Sequence, residues 1–112
     1  MSEVVRDAAA ICDPDGSETA VTAFFASFED DDRPTSAVED LEVHLFRAAR
    51  AIDPEGDDPA VLAAAAAAVW LAGNPGQAGD GKHVLRESVR LTFDGRPPEP
   101  LGDWLAARGV EL

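Results

Sequence analysis

Hydrophobic residues recur at helical spacing along most of the chain. From Ser2 to Cys12 they occupy positions 4, 5, 8, 9, 11 and 12, and a repeat every three or four residues marks one face of an α-helix. The same spacing predicts a second helix with an aromatic stripe, formed by Val21, Phe24, Phe25 and Phe28. It predicts a third helix with one apolar face, formed by Val38, Leu41, Leu45, Ala48 and Ile52.

Capping residues predict where these helices begin. Asp15 with Glu18, and Ser36 with Glu39, have the spacing of a capping box, in which two side chains satisfy the free N–H groups of the first turn. The Asp-Pro pair at 58–59 is a further start signal, because aspartate caps the first turn and proline needs no N–H there. We therefore expect helices two, three and four to begin at these points.

The fourth predicted helix, Ala60 to Ala72, contains no charged residue and includes six consecutive alanines at 63–68. A helix that is apolar on every side is typical of one enclosed by other helices. Alternatively, the alanines reflect helix propensity alone and tolerate water on one side. Small side chains would also let a second helix approach closely, which predicts self-association.

The C-terminal part of the chain predicts two more helices. A fifth helix that ends at Gly95 would have one face formed by Val84, Leu85, Ser88, Val89 and Thr92 or Phe93. A strand is the alternative for residues 82–93, because Val89, Leu91 and Phe93 alternate. A short sixth helix, stopped by Gly109, would contain Leu101, Trp104 and Leu105. We predict an all-α bundle of five or six helices built from helical hairpins, with residues 1–112 forming a single domain.

Two turns in the chain have nearly the same sequence. A shift of 40 residues places Asp13-Pro14-Asp15-Gly16 on Asp53-Pro54-Glu55-Gly56, and a third, weaker copy would begin near Val84. Helical hairpins with this period and an Asp-Pro turn resemble HEAT and armadillo repeats, which would imply an α-solenoid. Two unrelated hairpins that share common residue types explain the match equally well.

The charge is strongly negative, with 22 acidic residues, 9 basic residues and a formal net charge of −13. Such a surface is repelled by phosphate backbones and anionic lipids, so nucleic acids and membranes are poor partners. The longest apolar run, Val61 to Ala72, is shorter than the roughly 20 residues of a bilayer span. Cys12 is the only cysteine, which excludes an internal disulfide and favours a cytoplasmic location.

Catalytic and metal-binding patterns do not emerge from the sequence. The acidic turns lack the ligand spacing of an EF-hand, and two histidines with one cysteine are too few for a zinc site. Cys12 lies beside Asp13 and Asp15, which disfavour a reactive thiolate, so we expect a buried small residue. His44 is expected to pair with Asp40 on a helix surface. We predict no enzyme, no cofactor and no metal.

The most distinctive polar feature is a basic stripe formed by Lys82, Arg86 and Arg90, spaced by four residues. It could bind an anionic partner, or it could lie against the acidic N-terminal third of this chain or of a second copy. Trp70 and Trp104 are candidate anchors at a binding surface, with core packing as the alternative.

These residues favour a non-catalytic acidic helical module that binds another protein or itself, with a homodimer as one form. Two other functions fit the composition. One is an acidic mimic of nucleic acid that inhibits a DNA-binding protein, and the other is a helical protein with a small-ligand pocket between its hairpins.

Overall fold

The computed structural model describes residues 1–31, 38–74 and 76–111. These residues contain six α-helices. In order they are α1 (Ser2–Cys12), α2 (Thr19–Ala26), α3 (Leu41–Ile52), α4 (Pro59–Gly73), α5 (Gly81–Phe93) and α6 (Glu99–Ala107). Those three ranges contain no strand. The all-α prediction is confirmed, and residues 82–93 belong to a helix.

Helix α4 lies at the centre of the bundle and contacts each of the other five helices. All six alanines from Ala63 to Ala68 are completely buried. Because each alanine side chain is a single methyl group, neighbouring helices can approach α4 closely from several directions. The predicted enclosure of this helix is confirmed. These alanines are therefore covered by the chain itself, and self-association would have to use another surface.

The two Asp-Pro turns have the same hydrogen bonding. The Asp13 carboxylate accepts the N–H groups of Ser17 at 3.0 Å and Glu18 at 2.9 Å. The Asp53 carboxylate accepts those of Asp57 at 3.1 Å and Asp58 at 2.7 Å. Each aspartate also accepts, through its backbone carbonyl, the N–H of a glycine three residues later. The repeated sequence thus encodes a repeated turn.

The predicted capping box of Asp15 and Glu18 is wrong. Glu18 is the N-cap residue of α2 but makes no side-chain cap, and Asp15 is exposed. The carboxylate of Asp13, at the end of α1, satisfies the free N–H groups before α2 instead. The prediction failed because both aspartates precede the helix, and only the backbone path shows which one turns back towards it.

Helix α3 begins at Leu41, later than the predicted capping box of Ser36 and Glu39 indicated, and Val38 of the predicted stripe precedes it. Ser36 lies outside the described residues, and the helix follows Asp40, whose φ of 51° is left-handed. The side chains of His44 and Asp40 form no ion pair in the described ranges, so that predicted pairing is wrong; the Asp40 carbonyl accepts the His44 N–H. By contrast, the Asp58 cap is confirmed, with Oδ1 3.0 Å from the N–H nitrogen of Ala60.

The helices close into a bundle around α4. The pairs α1–α2 and α3–α4 pack as hairpins, whereas α5 and α6 pack mainly on α4 rather than on each other. The pair α5 and α6 follows the pair α3 and α4 at the same spacing along the chain. The guanidinium of Arg108, just after α6, donates to the Cys12 carbonyl at the end of α1 over 3.1 Å. In an open α-solenoid, the first and third units would not touch. The other five helices therefore pack around α4 and do not form a linear stack of hairpins.

Candidate functional site

A groove of about 640 Å³ runs along α3, between this helix, the start of α4 and the end of α5. We call it the α3 groove. Its apolar lining is formed by Val43, Phe46, Ala49, Val61, Leu62 and Phe93. Its charged lining is formed by Glu42, Arg47, Arg50, Asp53 and Glu55.

The groove exists because α3 has apolar residues on two faces. Leu45 and Ala49 are buried against the bundle. Val43 is 50% exposed, whereas Phe46 is half-buried. These two residues are three positions apart, so they share a second face that points towards the groove. The sequence pattern assigned the apolar stripe of this helix to other positions and did not identify either residue.

Large exposed hydrophobic side chains occur at two positions in the described part of the chain, Val43 and Leu91, the latter 63% exposed. Val43 lines the groove on α3, whereas Leu91 on α5 does not line it, although the next two residues, Thr92 and Phe93, do. Single exposed apolar residues are ordinary on protein surfaces, but Val43 adjoins the apolar lining of a groove. This arrangement is typical of a binding surface.

Two guanidinium groups lie free in the α3 groove. Arg47 and Arg50 are exposed, and neither forms an ion pair within the part of the chain that the structure describes. Asp53, at the end of the same helix, has both carboxylate oxygens bonded to backbone N–H groups of its turn. The groove therefore combines an apolar floor with cations that can bond to a carboxylate.

A second cleft, of about 810 Å³, lies between the α1–α2 turn, the start of α5 and the residues after α6. Its polar lining includes Asp13, Asp15, Glu18, Lys82 and Arg108. Asp13 is already bonded to its turn, and Arg108 to the carbonyl that ends α1. Its central polar groups thus stabilise the fold, so we regard the α3 groove as the better candidate site.

The predicted basic stripe lies on α5, but its three members have different surroundings. Lys82 is exposed and lines the second cleft beside acidic residues of the N-terminal third. Arg86 is half-buried, and its Nε has no hydrogen-bond partner. Arg90 is exposed and pairs with Glu87 of its own helix at 3.5 Å. None of the three lines the α3 groove.

Both predicted tryptophan anchors are half-buried and pack against the core cluster. Trp70 on α4 contacts His83 on α5 edge to face, with ring centroids 5.7 Å apart. The guanidinium carbon of Arg108 lies 3.8 Å from the ring centroid of Trp104, a cation–π contact. Each ring therefore has a packing role within the fold.

Cys12 is fully buried at the end of α1. Burial raises the pKa of its thiol to about 12; nearby Arg108 lowers that pKa and Asp13 raises it. At neutral pH the thiol is protonated and out of contact with solvent, which is the opposite of what a nucleophile needs. The prediction of a buried small residue is confirmed.

Within residues 1–31, 38–74 and 76–111, no three His, Cys, Asp or Glu side chains are grouped to hold a metal ion. The helices in those ranges are too short or too polar for any of them to cross a bilayer. The chain matches no protein-family model, no curated protein and no solved structure.

Proposed function

We propose that this protein is a non-catalytic helical module that binds an α-helix of a protein partner in the α3 groove. The observation that carries the proposal is the half-exposed Val43 on a groove whose floor contains Phe46 and Phe93. Grooves of this kind accept the apolar face of an amphipathic helix. We expect a cytoplasmic location, because a single buried thiol suits a reducing compartment.

The dimensions of α3 define the segment that would bind. This helix has 12 residues, which corresponds to a length of about 18 Å or roughly three turns. A bound helix of that length would place apolar side chains at positions i, i+3 or i+4, and i+7 on the groove floor. A carboxylate at its edge would reach Arg47 or Arg50, which are free to form bidentate bonds.

Site-specific photo-crosslinking in the cells that produce the protein tests this function. A benzophenone amino acid replaces Val43 in one variant and Ala106, an exposed residue on α6 outside the groove, in the control. We expect a discrete crosslinked protein from position 43 alone, and loss of that product when Phe93→Asp is added. Equal crosslinking from both positions, or none from position 43, would contradict a binding role for the groove.

A small apolar acid is a second candidate occupant of the same groove. Its volume of about 640 Å³ lies within the range of roughly 300–1,000 Å³ typical of small-molecule sites. The acid would place its body on the apolar floor and its carboxylate against Arg47 or Arg50. Native mass spectrometry of protein purified from its own cells would then show a bound small molecule, which Arg47→Ala and Arg50→Ala together should remove.

A further inference from the structure

The exposed side of α3 changes charge along its length. Acidic residues lie at its N-terminal end: Glu39 and Asp40 directly precede the helix, and Glu42 is in its first turn. Basic residues lie in its second half: Arg47 and Arg50. Val43 and Phe46 lie between the two groups. In the described ranges, none of these five charged side chains forms an ion pair within the chain, so all of them face outward without a partner. We call these seven residues the α3 face.

The order of charges on the α3 face is complementary to itself in one orientation. If two copies meet with their α3 helices antiparallel, the acidic start of one lies against the basic half of the other. The two apolar pairs then meet in the middle, where Val43 of one copy is near Phe46 of the other. A parallel arrangement would instead place like charges together, which costs energy. The antiparallel arrangement has two-fold symmetry, so each contact occurs twice.

We infer that the partner helix in the α3 groove is α3 of a second copy, so that the protein forms an antiparallel two-fold dimer. This inference rests on the proposed binding function of the groove and names its occupant. Two further acidic residues follow α3: the Asp53 carboxylate is bonded within its own turn, whereas Glu55 is exposed and weakens the complementarity at that end. In the dimer, the free guanidinium groups of Arg47 and Arg50 bind the carboxylates at the acidic start of α3 in the other copy. These are the carboxylates that the proposed function requires.

The size and charge of the molecule set the strength of such a dimer. A face formed by one 12-residue helix is small beside the roughly 800 Å² per partner of a stable complex. Each copy also has a net charge of −13, so two copies repel each other at long range until salt screens them. We therefore expect a reversible dimer, best populated at high protein concentration and moderate ionic strength.

Charge reversal on the full-length protein tests the dimer. One variant has an all-acidic α3 face (Arg47→Glu with Arg50→Glu), and the other has a basic start (Glu39→Arg with Glu42→Arg). Arg6→Glu with Arg96→Glu is the control, because both arginines are exposed, lie outside the face and change the net charge by the same amount as the first variant. Sedimentation velocity over a concentration series measures association, and circular dichroism verifies that each variant is folded.

We expect wild type and control to dimerise alike, each reversed variant to dimerise at least tenfold more weakly, and an equimolar mixture of the two to form a heterodimer. Recovery in the mixture separates an interface from the alternative that these charges only stabilise the α3 dipole. If a double variant unfolds, the single variants Glu42→Arg and Arg50→Glu provide the same comparison, separately and as an equimolar mixture.

A monomeric wild type, reversed variants that dimerise normally, or a mixture without heterodimer would each overturn the dimer. In those cases the crosslink at position 43 decides the proposed function separately. A crosslink to a different protein would keep the groove as a binding site and assign it another occupant, whereas the absence of any crosslink would remove both.

Discussion

At the residue scale, two aspartates determine how the hairpins turn. Asp13 ends α1 and bonds to two N–H groups that precede α2, and Asp53 does the same between α3 and α4. Bonds from neutral donors to an ionised acceptor are stronger than bonds between neutral groups. One side chain therefore both ends a helix and fixes the path towards the next.

Replacing Asp13 with alanine tests this role. The Ser17 and Glu18 N–H groups would lose their carboxylate acceptor, so we expect the free energy of unfolding to fall by about 2 kcal/mol. Asp15→Ala is the matched control, because Asp15 is exposed and its loss should change stability by less than about 0.5 kcal/mol. Urea denaturation followed by circular dichroism measures both. Equal effects would contradict the role of Asp13, and a larger loss in Asp15→Ala would indicate that the cap is Asp15, as the sequence pattern suggested.

The buried thiol of Cys12 makes stability depend on alkaline pH. Its pKa is about 12 in the fold against an ordinary value of 9.0. Below pH 9 the thiol is protonated in both states and its full contribution is present. Between pH 9 and 12 only the unfolded thiol ionises, so stability falls as pH rises, by at most about 1.4 kcal/mol per pH unit.

Urea denaturation at several pH values between 8.5 and about 10.5 measures this slope. The background is small, because the chain has no tyrosine and a single lysine, Lys82. In Cys12→Ala we expect the absolute stability to differ and the slope to become shallower. The same slope in both proteins would show that another group is responsible for it.

At the element scale, α4 determines the fold, because it is the helix on which all the others pack. Its sequence has no amphipathic stripe, and this absence itself predicted a central position. The alanines matter through their size. A larger side chain at any of these buried positions would have to displace a neighbouring helix.

Ala65→Leu tests that requirement. Ala65 is completely buried, so we expect the overpacked variant to lose about 1–3 kcal/mol of stability. Ala51→Leu on the exposed side of α3 is the control, since leucine and alanine have similar helix propensity and the change should be within about 0.5 kcal/mol. Thermal unfolding of both variants measures the difference. A stability loss as large in Ala51→Leu would argue against close packing as the cause.

The elements were more predictable from sequence than the candidate site. The uncharged apolar run and the cap at Asp58 predicted α4 within one residue at each end, and the all-α class followed from the repeated helical spacing elsewhere. The groove could not be predicted, because Val43 and Phe46 look like ordinary members of an amphipathic helix. Which apolar residues become covered depends on how α4 and α5 pack beside α3, and no local pattern encodes that packing.

At the scale of the whole molecule, Arg108 links the C-terminal helix to the end of the N-terminal helix. It donates to the Cys12 carbonyl at 3.1 Å and lies over the Trp104 ring at 3.8 Å. The first is a charge-assisted bond to a helix C-terminus, where a cation also offsets the helix dipole. This one residue therefore connects the end of α6 to the end of α1.

Arg108→Ala should lower the free energy of unfolding by about 1–2 kcal/mol, through loss of the hydrogen bond and the cation–π contact. Arg96→Ala is the control, because Arg96 is exposed. Hydrogen exchange locates the effect, and we expect faster exchange in α6 and at the end of α1 with little change in α4. Uniformly faster exchange would mean that Arg108 supports the whole bundle and not this junction.

The two tryptophans also equip the molecule with built-in optical reporters. Trp70 lies against an imidazole where α4 meets α5, and Trp104 lies under a guanidinium beside α1. Because the chain has no tyrosine, excitation in the near ultraviolet is absorbed almost entirely by these two indoles. Single Trp→Phe replacements would thus allow each junction to be followed by its own emission, so that loosening at one end of the bundle can be timed against the other.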